Sequence, residues 1–317
     1  MNARQILELR ARVRAVVRGL FEARGFLEVD TPVLSGEVLP EAHIDPLTVP
    51  IDAAGGRLFL QASPEAHMKR LLARGSGAIF QFARAFRAGE RGSRHDVEFV
   101  LLEWYAPGSR ADEAADLLER LCSLTLGTEG LERVGCAEAF GRHAGVDPLS
   151  ASLAEMEAAV ARAGLVPPAT VAALGDAARW DRAFERLLAE VVQPALGHER
   201  PTLLEDWPVS QAAFARIVGD GPPRARRFEL FVAGVELANG WEEETARAVL
   251  AERIASANRE RVADGRPPLP APERLLAAHG DAMPEGVGAA LGFDRLVMLA
   301  AGCDSIDAVR CFDSGTA

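Results

Sequence analysis

The chain has 317 residues, of which 49% are hydrophobic and 26% charged, so it can bury a full core and general disorder is excluded. Its 35 Lys and Arg against 46 Asp and Glu leave a formal net charge of -11, which argues against binding nucleic acid mainly by charge. No segment reaches the roughly 18 to 20 uncharged apolar residues of a membrane helix. The four cysteines show no CxxC pair and no zinc-like spacing. We therefore expect a cytoplasmic protein without a structural metal.

The amino-terminal part predicts helices and short strands in alternation. Apolar residues recur every three or four positions over residues 4–24, which predicts an amphipathic helix. A short strand broken by Pro32 is predicted at 26–33, and another strand at 58–62. A helix is predicted from 63 to 75, because it opens with Ser-Pro-Glu, which supplies an N-cap, a proline in the first turn and an acid near the positive end of the helix dipole.

A hairpin with a charged loop follows. The runs 78–87 and 97–105 predict two antiparallel strands around a polar loop from Ala88 to Asp96. Arg87 precedes this loop, and guanidinium groups on a loop suit a polyphosphate because their geometry matches phosphate oxygens. The alternative is a solvated charged loop. Before Asp96 the loop also carries Glu90, Arg91, Arg94 and His95.

The return strand of the hairpin has an unusual face. Its two-residue period puts Phe99, Leu101, Glu103 and Tyr105 on the same side. A ring, a carboxylate and a phenol in succession are unusual for a core, which makes this face a candidate binding surface. The alternative is a buried tyrosine in ordinary packing.

The rest of the chain predicts a helical middle and a mixed end. Residues of about 110–200 are mostly helical and Ala-rich, which indicates scaffold. Three strands, a charged helix, a glycine-rich strand and a final helix then follow in this order: 203–206, 226–233, 235–240, 244–264, 286–292 and 293–301. Strands that return mostly by hairpins predict an α+β fold with a mixed or antiparallel sheet flanked by helices.

Two late segments carry candidate site residues. Glu236 lies near the end of an apolar strand and Glu243 follows it, and such carboxylates need a cation, either magnesium or an ammonium group. The alternative is a group of acids at a helix N-terminus, Glu242 to Glu244. In the second segment, glycines at 288 and 292 let a flat ligand approach, and Arg295 could lie over its ring. Tight packing of the glycine-rich strand is the alternative.

Taken in order, three segments resemble the motifs of the class II aminoacyl-tRNA synthetase catalytic domain. Residues 24–34 resemble motif 1, residues 86–99 resemble motif 2, and residues 288–296 resemble motif 3. Three further segments resemble the lysyl branch of that class: 63–72, 101–105 and 236–240. The likeness is greatest to the short lysyl-tRNA synthetase paralogues that attach a lysyl group to elongation factor P, and it spans essentially the whole chain.

This resemblance implies one catalytic domain over 1–317, with an antiparallel sheet flanked by helices, a mostly helical insertion at about 110–200 and no anticodon-binding domain. It implies that ATP and Mg²⁺ are used to activate lysine or (R)-β-lysine as an aminoacyl-adenylate. The aminoacyl group then passes to a lysine side chain of elongation factor P. It also implies no stable tRNA binding, no membrane association and a homodimer. The dimer would form through a motif 1 strip of Phe26, Val29, Pro32 and Val33.

The resemblance also implies roles for individual residues. The catalytic residues would be Arg87, Glu236 and Arg295, with Arg87 on the α-phosphate and Arg295 sandwiching the adenine with Phe99. The ATP-binding residues would be Arg87, Glu90, His95, Asp96, Phe99, Glu236, Leu237, Gly292 and Arg295. The substrate-binding residues would be Ser63, Pro64, Glu65, Tyr105, Asn239, Glu243 and Ala290. Glu65, Tyr105 and Glu243 would hold the two ammonium groups, and Glu236 and Glu243 would hold magnesium.

Some residues depart from the family pattern, and two other functions remain open. Motif 2 has its acid displaced by one residue, at Glu90, and has Asp96-Val97 where the paralogues often have Asn-Pro. The first alternative function is an ammonia-dependent asparagine synthetase, against which the acids Glu65 and Glu243 argue. The second is a non-catalytic amino-acid-binding regulatory subunit derived from a synthetase. Such proteins commonly lose a motif arginine, whereas this chain keeps both.

Overall fold

The computed structural model describes residues 1–51, 56–168, 171, 174–219 and 221–317. The chain divides into two compact units, of which the first comprises 1–110, 124–126 and 243–317 and the second 111–123 and 127–242. The predicted single domain with a helical insertion stays a prediction. Residues 169, 170, 172 and 173 of that predicted insertion lie outside the described residues. Among the described residues, no helix combines the length and the apolar character needed to span a membrane.

Nine α-helices lie in the described part of the chain. They are α1 (Ala3–Ala23), α2 (Glu65–Leu72), α3 (Ala111–Leu126), α4 (Cys136–Ala144), α5 (Leu153–Arg162), α6 (Asp176–Leu187), α7 (Arg247–Ala263), α8 (Glu273–Ala278) and α9 (Phe293–Ala300). A short 3₁₀ turn, Ile306–Val309, follows α9.

The same residues contain fourteen strands. They are β1 (Leu27–Glu28), β2 (Leu34–Ser35), β3 (Thr48–Pro50), β4 (Arg57–Leu60), β5 (Ile79–Phe86), β6 (Glu98–Pro107), β7 (Glu132–Gly135), β8 (Thr202–Glu205), β9 (Trp207–Pro208), β10 (Ile217–Val218), β11 (Arg224–Ala225), β12 (Arg227–Val232), β13 (Val235–Glu242) and β14 (Gly286–Gly292).

The first unit contains four sheet strands in the order β1-β5-β6-β14. β1 runs parallel to β5, whereas β5, β6 and β14 are antiparallel neighbours. The first helix covers the sheet with an apolar stripe of Leu9, Val13, Val17, Leu20 and Phe21. Within this stripe the Phe21 ring stacks on Phe80 at 4.9 Å between ring centroids. A second, smaller antiparallel sheet has the order β2-β4-β3.

The second unit has its own strands and core. Its strands β13, β12 and β8 are antiparallel neighbours, and β7 runs parallel to β8. A small antiparallel sheet of order β10-β11-β9 adjoins them in this unit. The core is centred on Phe184, whose ring stacks on Phe140 at 4.7 Å and meets Trp207 edge-on at 5.8 Å. Large buried aromatic rings stabilise such cores through their contact area.

Several predicted elements are confirmed. The first helix, the hairpin and the strand at 286–292 lie where their patterns predict, and the units show the α+β class with mostly antiparallel strands. The predicted helix 63–75 is shorter, since it begins at Glu65 with Pro64 as N-cap residue and ends at Leu72. Ser63 still assists its start, because its Oγ accepts a hydrogen bond from the Glu65 backbone N at 2.9 Å.

The strand predicted over 26–33 is confirmed only in part. Only Leu27–Glu28 pairs with β5, and Leu34–Ser35 pairs instead with β4. Pro32 lies between them and has no backbone N–H to donate to a ladder. The predicted apolar strip also differs: Phe26 is half-buried, with its ring 5.1 Å from Phe21, and Val29 is half-buried as well. The exposed apolar residues of this segment are Leu27, Pro32, Val33 and Leu34.

Candidate active site

Five ionisable side chains form a buried cluster in the first unit, which we call the acid–lysine cluster: Glu65, Lys69, Glu103, Tyr105 and Glu243. Each of them is at most 7% exposed. Helix α2 supplies the first two and β6 the next two. Glu243 is held beside β14 by a hydrogen bond from its backbone N to the Gly286 carbonyl at 2.9 Å. So many buried charges require partners, because an unpaired buried charge is very costly.

Lys69 is the cation at the centre of this cluster. Its Nζ lies 2.6 Å from Glu65 Oε1 and 2.7 Å from Glu243 Oε2. Burial lowers the pKa of Lys69, but the negative charges of Glu243 and Glu65 outweigh burial and hold this pKa above its usual value. The lysine therefore stays charged and bridges two acids that the sequence places far apart.

Glu103 is the third acid of the cluster. Its Oε1 accepts a hydrogen bond from Tyr105 Oη at 2.7 Å, and its Oε2 accepts one from Ser63 Oγ at 3.1 Å. Burial, reinforced by the negative charge of Glu65, raises the pKa of Glu103 to about 8. Burial and the neighbouring Glu103 likewise raise the pKa of the Tyr105 hydroxyl. Burial therefore favours the protonated, uncharged form of Glu103.

Strand β14 forms the adjacent part of the wall. Gly288 lies opposite Tyr105, and Ala290 lies opposite Glu103. A Cβ at position 288 would come within 2.4 Å of both Glu243 Oε1 and the Tyr105 ring. This position therefore requires glycine, because any side chain would push the cluster apart. Ala290 is half-buried, so its methyl group stays accessible beside Glu103.

The cluster has a deficit of positive charge. It holds three carboxyl groups, those of Glu65, Glu103 and Glu243, around a single lysine. His279 adds no cation, because burial and the charge of Lys69 lower its pKa to about 4. Such a site favours a ligand that brings positive charge.

Several of the predicted ATP-binding residues lie in two groups at the hairpin loop, residues 87–97, which joins β5 to β6. In the first, the Arg87 guanidinium carbon lies 5.0 Å from the centroid of the Phe99 ring, and Arg87 Nη1 lies 3.5 Å from Glu90 Oε1. In the second, Arg295 Nη2 lies 2.7 Å from His95 Nε2, and Arg295 Nε donates to the Arg94 carbonyl at 3.2 Å. Gly292 is the N-cap residue of α9, the helix that carries Arg295.

Asp96 lies in the same loop but is directed elsewhere. Its Oδ2 accepts a hydrogen bond from Arg310 Nη1 at 2.7 Å, and Ser314 donates to it through both its N–H and its hydroxyl. Both carboxylate oxygens of Asp96 are therefore engaged within the protein. Its predicted contact with ATP stays a prediction.

The remaining predicted site residues lie on β13 in the second unit. Glu236 is half-buried opposite Phe231, Leu237 is buried, and the Oδ1 of Asn239 accepts from Arg227 Nε at 3.3 Å. Over the described ranges, no group of three or more His, Cys, Asp or Glu side chains could hold a metal ion. A magnesium ion held by one or two carboxylates and by substrate phosphates needs no such group.

Glu243 lies between two other acids, Glu242 and Glu244, and the three carboxylates have different partners. Glu242 is bonded within the second unit, where Arg216 and the Ala111 backbone N donate to it. Glu244 accepts from the Ala246 backbone N at 2.9 Å, just before α7. Glu243 is the acid of these three whose carboxylate reaches Lys69.

Two residues of the cluster were given no site role from the sequence: Lys69, and Glu103, which was noted only as part of an unusual strand face. Lys69 follows Glu65 by four residues on a helix, a spacing that indicates an ion pair but not a buried one. Glu103 shares the face of Phe99 and Tyr105, and its two-residue spacing from Tyr105 was the available signal.

The family model for class II tRNA synthetases (D, K and N) matches residues 1–315. The chain belongs to the class II tRNA synthetase family. Its motif 2 corresponds to the hairpin of β5 and β6, and its motif 3 to β14 and α9. This family implies the use of ATP.

Curated relatives of this class II chain carry a more specific name, elongation factor P--(R)-beta-lysine ligase. The protein of that name from Edwardsiella ictaluri (strain 93-146) is 40% identical over 307 residues, which cover 96% of this chain and 93% of the relative. The one from Sodalis glossinidius (strain morsitans) is 40% identical over 311 residues, with the same coverage. The one from Salmonella paratyphi B (strain ATCC BAA-1250 / SPB7) is 38% identical over 308 residues.

Glu103 should make the stability of the substrate-free protein depend on pH. Because its folded pKa is raised from 4.5 to about 8, the folded state binds one proton more than the unfolded state between these values. The free energy of unfolding should therefore fall as the pH rises from about 5 to about 8. Glu103→Gln should remove this part of the slope, measured by urea denaturation at both pH values. Glu8→Gln, an exposed acid on α1, is the control and should leave the slope as in wild type. Equal slopes for wild type and Glu103→Gln would contradict the assignment.

Proposed function

We propose that this protein uses ATP to attach (R)-β-lysine or lysine to a lysine side chain of elongation factor P. The relatives support this function through their name, because they match 96% of this chain at 38% to 40% identity. The observation that carries it is the acid–lysine cluster, three buried carboxylates around one lysine. A substrate with two ammonium groups supplies the cations that the cluster lacks.

The proposed reaction has two steps, both of which conserve atoms and charge. A carboxylate oxygen of the substrate attacks the α-phosphorus of ATP, an O–P bond forms, and pyrophosphate leaves. The ε-amine of the acceptor lysine then attacks the activated carbonyl carbon, AMP leaves, and the nitrogen gives up a proton as the amide forms. Neither step asks much acid–base chemistry of side chains, so orientation and charge neutralisation dominate.

The residue roles follow from this chemistry. Arg87 neutralises charge at the α-phosphate, while Phe99 and Arg295 bind the adenine. Magnesium, with Glu236 and Glu243 as its predicted ligands, would neutralise charge on the phosphates. We expect Glu243 to contribute less to magnesium binding than Glu236, because its Oε2 already lies 2.7 Å from the Lys69 ammonium.

The alternative of an asparagine synthetase is disfavoured by the same cluster. An aspartate side chain needs a cation to receive it, whereas Lys69 is the nearest ammonium and lies between two acids. A non-catalytic subunit is disfavoured because Arg87 and Arg295 are both present beside the hairpin loop. We further infer a cytoplasmic enzyme without stable tRNA binding, because its acceptor is a translation factor and the net charge of -11 is unfavourable for a polyanion.

Two measurements test the function directly. Pyrophosphate exchange should be seen with β-lysine or lysine but not with aspartate. Incubation with ATP, β-lysine and elongation factor P should then raise the intact mass of the factor by one β-lysyl group. Exchange with aspartate alone would favour the asparagine synthetase alternative, and binding of lysine without exchange would favour the regulatory subunit.

Arg87→Ala should nearly abolish adenylate formation. The guanidinium neutralises charge that develops in the transition state, and such a donor contributes about 3 kcal/mol, so pyrophosphate exchange should fall by about a hundredfold or more. Arg84→Ala is the matched control, because Arg84 lies on β5 shortly before Arg87 but is exposed and paired with Glu98. A near wild-type exchange rate in Arg87→Ala would mean that motif 2 is assigned wrongly.

Ala290→Gly should shift the preference between lysine isomers. The resemblance places alanine here where true lysyl-tRNA synthetases usually have glycine, and the methyl group removes space beside the substrate α-carbon. One methyl group in a pocket is worth about 1 to 3 kcal/mol, so wild type should prefer β-lysine by roughly ten- to a hundredfold in kcat/KM and the variant should lose this preference. Ala289→Gly is the control, because Ala289 is buried and alternates to the opposite face of β14. An unchanged ratio in Ala290→Gly would contradict the role of this methyl group.

We also propose a homodimer formed through the motif 1 segment. Leu27, Val33 and Leu34 are 59%, 39% and 36% exposed, an apolar strip that association would cover. Sedimentation at micromolar concentration should therefore show a dimer, and Leu34→Asp should shift it toward monomer. Val262→Asp places the same charge on an exposed apolar position of α7 and should leave the dimer intact. A wild-type monomer would overturn this proposal.

A further inference from the structure

The last residues of the chain hold the hairpin loop at three points. The Ile306 backbone N donates to the Ser93 carbonyl at 2.8 Å. Arg310 then makes two contacts, through Nη1 to Asp96 Oδ2 at 2.7 Å and through Nη2 to the Glu98 carbonyl at 2.9 Å. One guanidinium thus bridges the loop and the first residue of β6.

We call these contacts the anchor of the loop, and the Asp96 carboxylate is their main hydrogen-bond acceptor. Its Oδ1 accepts from the Val97 backbone N at 2.8 Å and from the Ser314 hydroxyl, and its Oδ2 accepts from the Ser314 backbone N at 2.9 Å as well as from Arg310. The side chains of Asp96 and Arg310 are only 6% and 10% exposed. Burial raises the pKa of Asp96, but the hydrogen bonds from Ser314, Val97 and Arg310 outweigh burial and lower this pKa to about 2. The carboxylate is therefore charged and has four donors within the protein.

The anchor adjoins the predicted ATP-binding residues in sequence and in space. His95 precedes Asp96 directly and contacts Arg295, and Arg295 also bonds to the Arg94 carbonyl. A shift of Asp96 would therefore move two groups that Arg295 contacts, the Arg94 carbonyl and the His95 ring. Loops bind ligands well only when a rigid support fixes their geometry.

We propose that Asp96 and Arg310 are positioning residues that fix the hairpin loop for ATP, so that His95 and Arg295 meet the nucleotide without a prior ordering step. This inference rests on the proposed function, in that ATP is taken to bind at this loop. In this proposal Asp96 acts through the loop, in place of the direct contact with ATP that the family resemblance implies. Loss of the anchor costs ATP affinity, because binding must then also order the loop.

The test separates ATP affinity from folding and from amino-acid binding. We measure ATP binding by calorimetry, and KM for ATP and for β-lysine by pyrophosphate exchange, in Arg310→Ala, Arg310→Lys and Asp96→Asn. Arg310→Ala and Asp96→Asn should weaken ATP binding and raise KM for ATP by about tenfold, with KM for β-lysine changed much less. Arg310→Lys keeps the charge and one donor to Asp96, so it should recover part of the affinity. Arg133→Ala, which removes a bridge to Glu205 in the second unit, is the control.

A second readout needs no activity. Arg91 and Arg94 lie in the loop, so limited trypsin digestion followed by mass spectrometry reports its mobility. Cleavage after these residues should accelerate in Arg310→Ala but not in Arg133→Ala. Unchanged ATP affinity in Arg310→Ala overturns the proposal, whether or not cleavage accelerates. An equal loss of affinity for ATP and β-lysine, or an equal effect of Arg133→Ala, also overturns it, because either result indicates general destabilisation. If the wild type activates no amino acid, the proposed function fails, while calorimetry and digestion still decide this inference.

Discussion

The structure depends on one interaction, the bridge that buried Lys69 makes between Glu65 and Glu243. An ammonium at 1% exposure is tolerated only when acids lie within hydrogen-bond distance, here 2.6 Å and 2.7 Å. This requirement fixes α2 against the segment that begins at Glu243. It also fixes β14, because the close approach of Glu243 and Tyr105 leaves no room for a side chain at Gly288. Loss of any one partner would leave a charge buried without compensation.

Local pattern was enough to predict several elements of the first unit. The glycine-rich strand 286–292 and the first helix follow from periodicity and glycine placement, since apolar spacing reflects the face that each element buries. The face of β6 that holds Glu103 and Tyr105 also followed from its two-residue period. The segment 26–33 could not be read this way, because its pairing partners β5 and β4 lie later in the chain and take only two residues each.

The contacts that sequence reasoning missed are long-range or depend on burial. A Glu and a Lys four residues apart normally indicate a solvated helix face, and only the third partner, Glu243, makes Lys69 a buried cation. The contact of Asp96 with Arg310 spans 214 residues, so no local pattern contains it. Asp96, which departs from the family pattern in motif 2, therefore has a structural role, because it accepts hydrogen bonds from Arg310 and Ser314.

The acids of the cluster are neutralised in two physically different ways. Glu65 and Glu243 share the ammonium of Lys69, which is tethered to α2 and cannot leave. Glu103 is neutralised by a proton, because burial and Glu65 raise its pKa to about 8. A proton can exchange with water and be replaced by an entering ammonium, whereas a tethered lysine cannot be replaced in that way. We therefore expect an entering ammonium to replace the proton of Glu103, beside Ala290, while Lys69 keeps its two ion pairs.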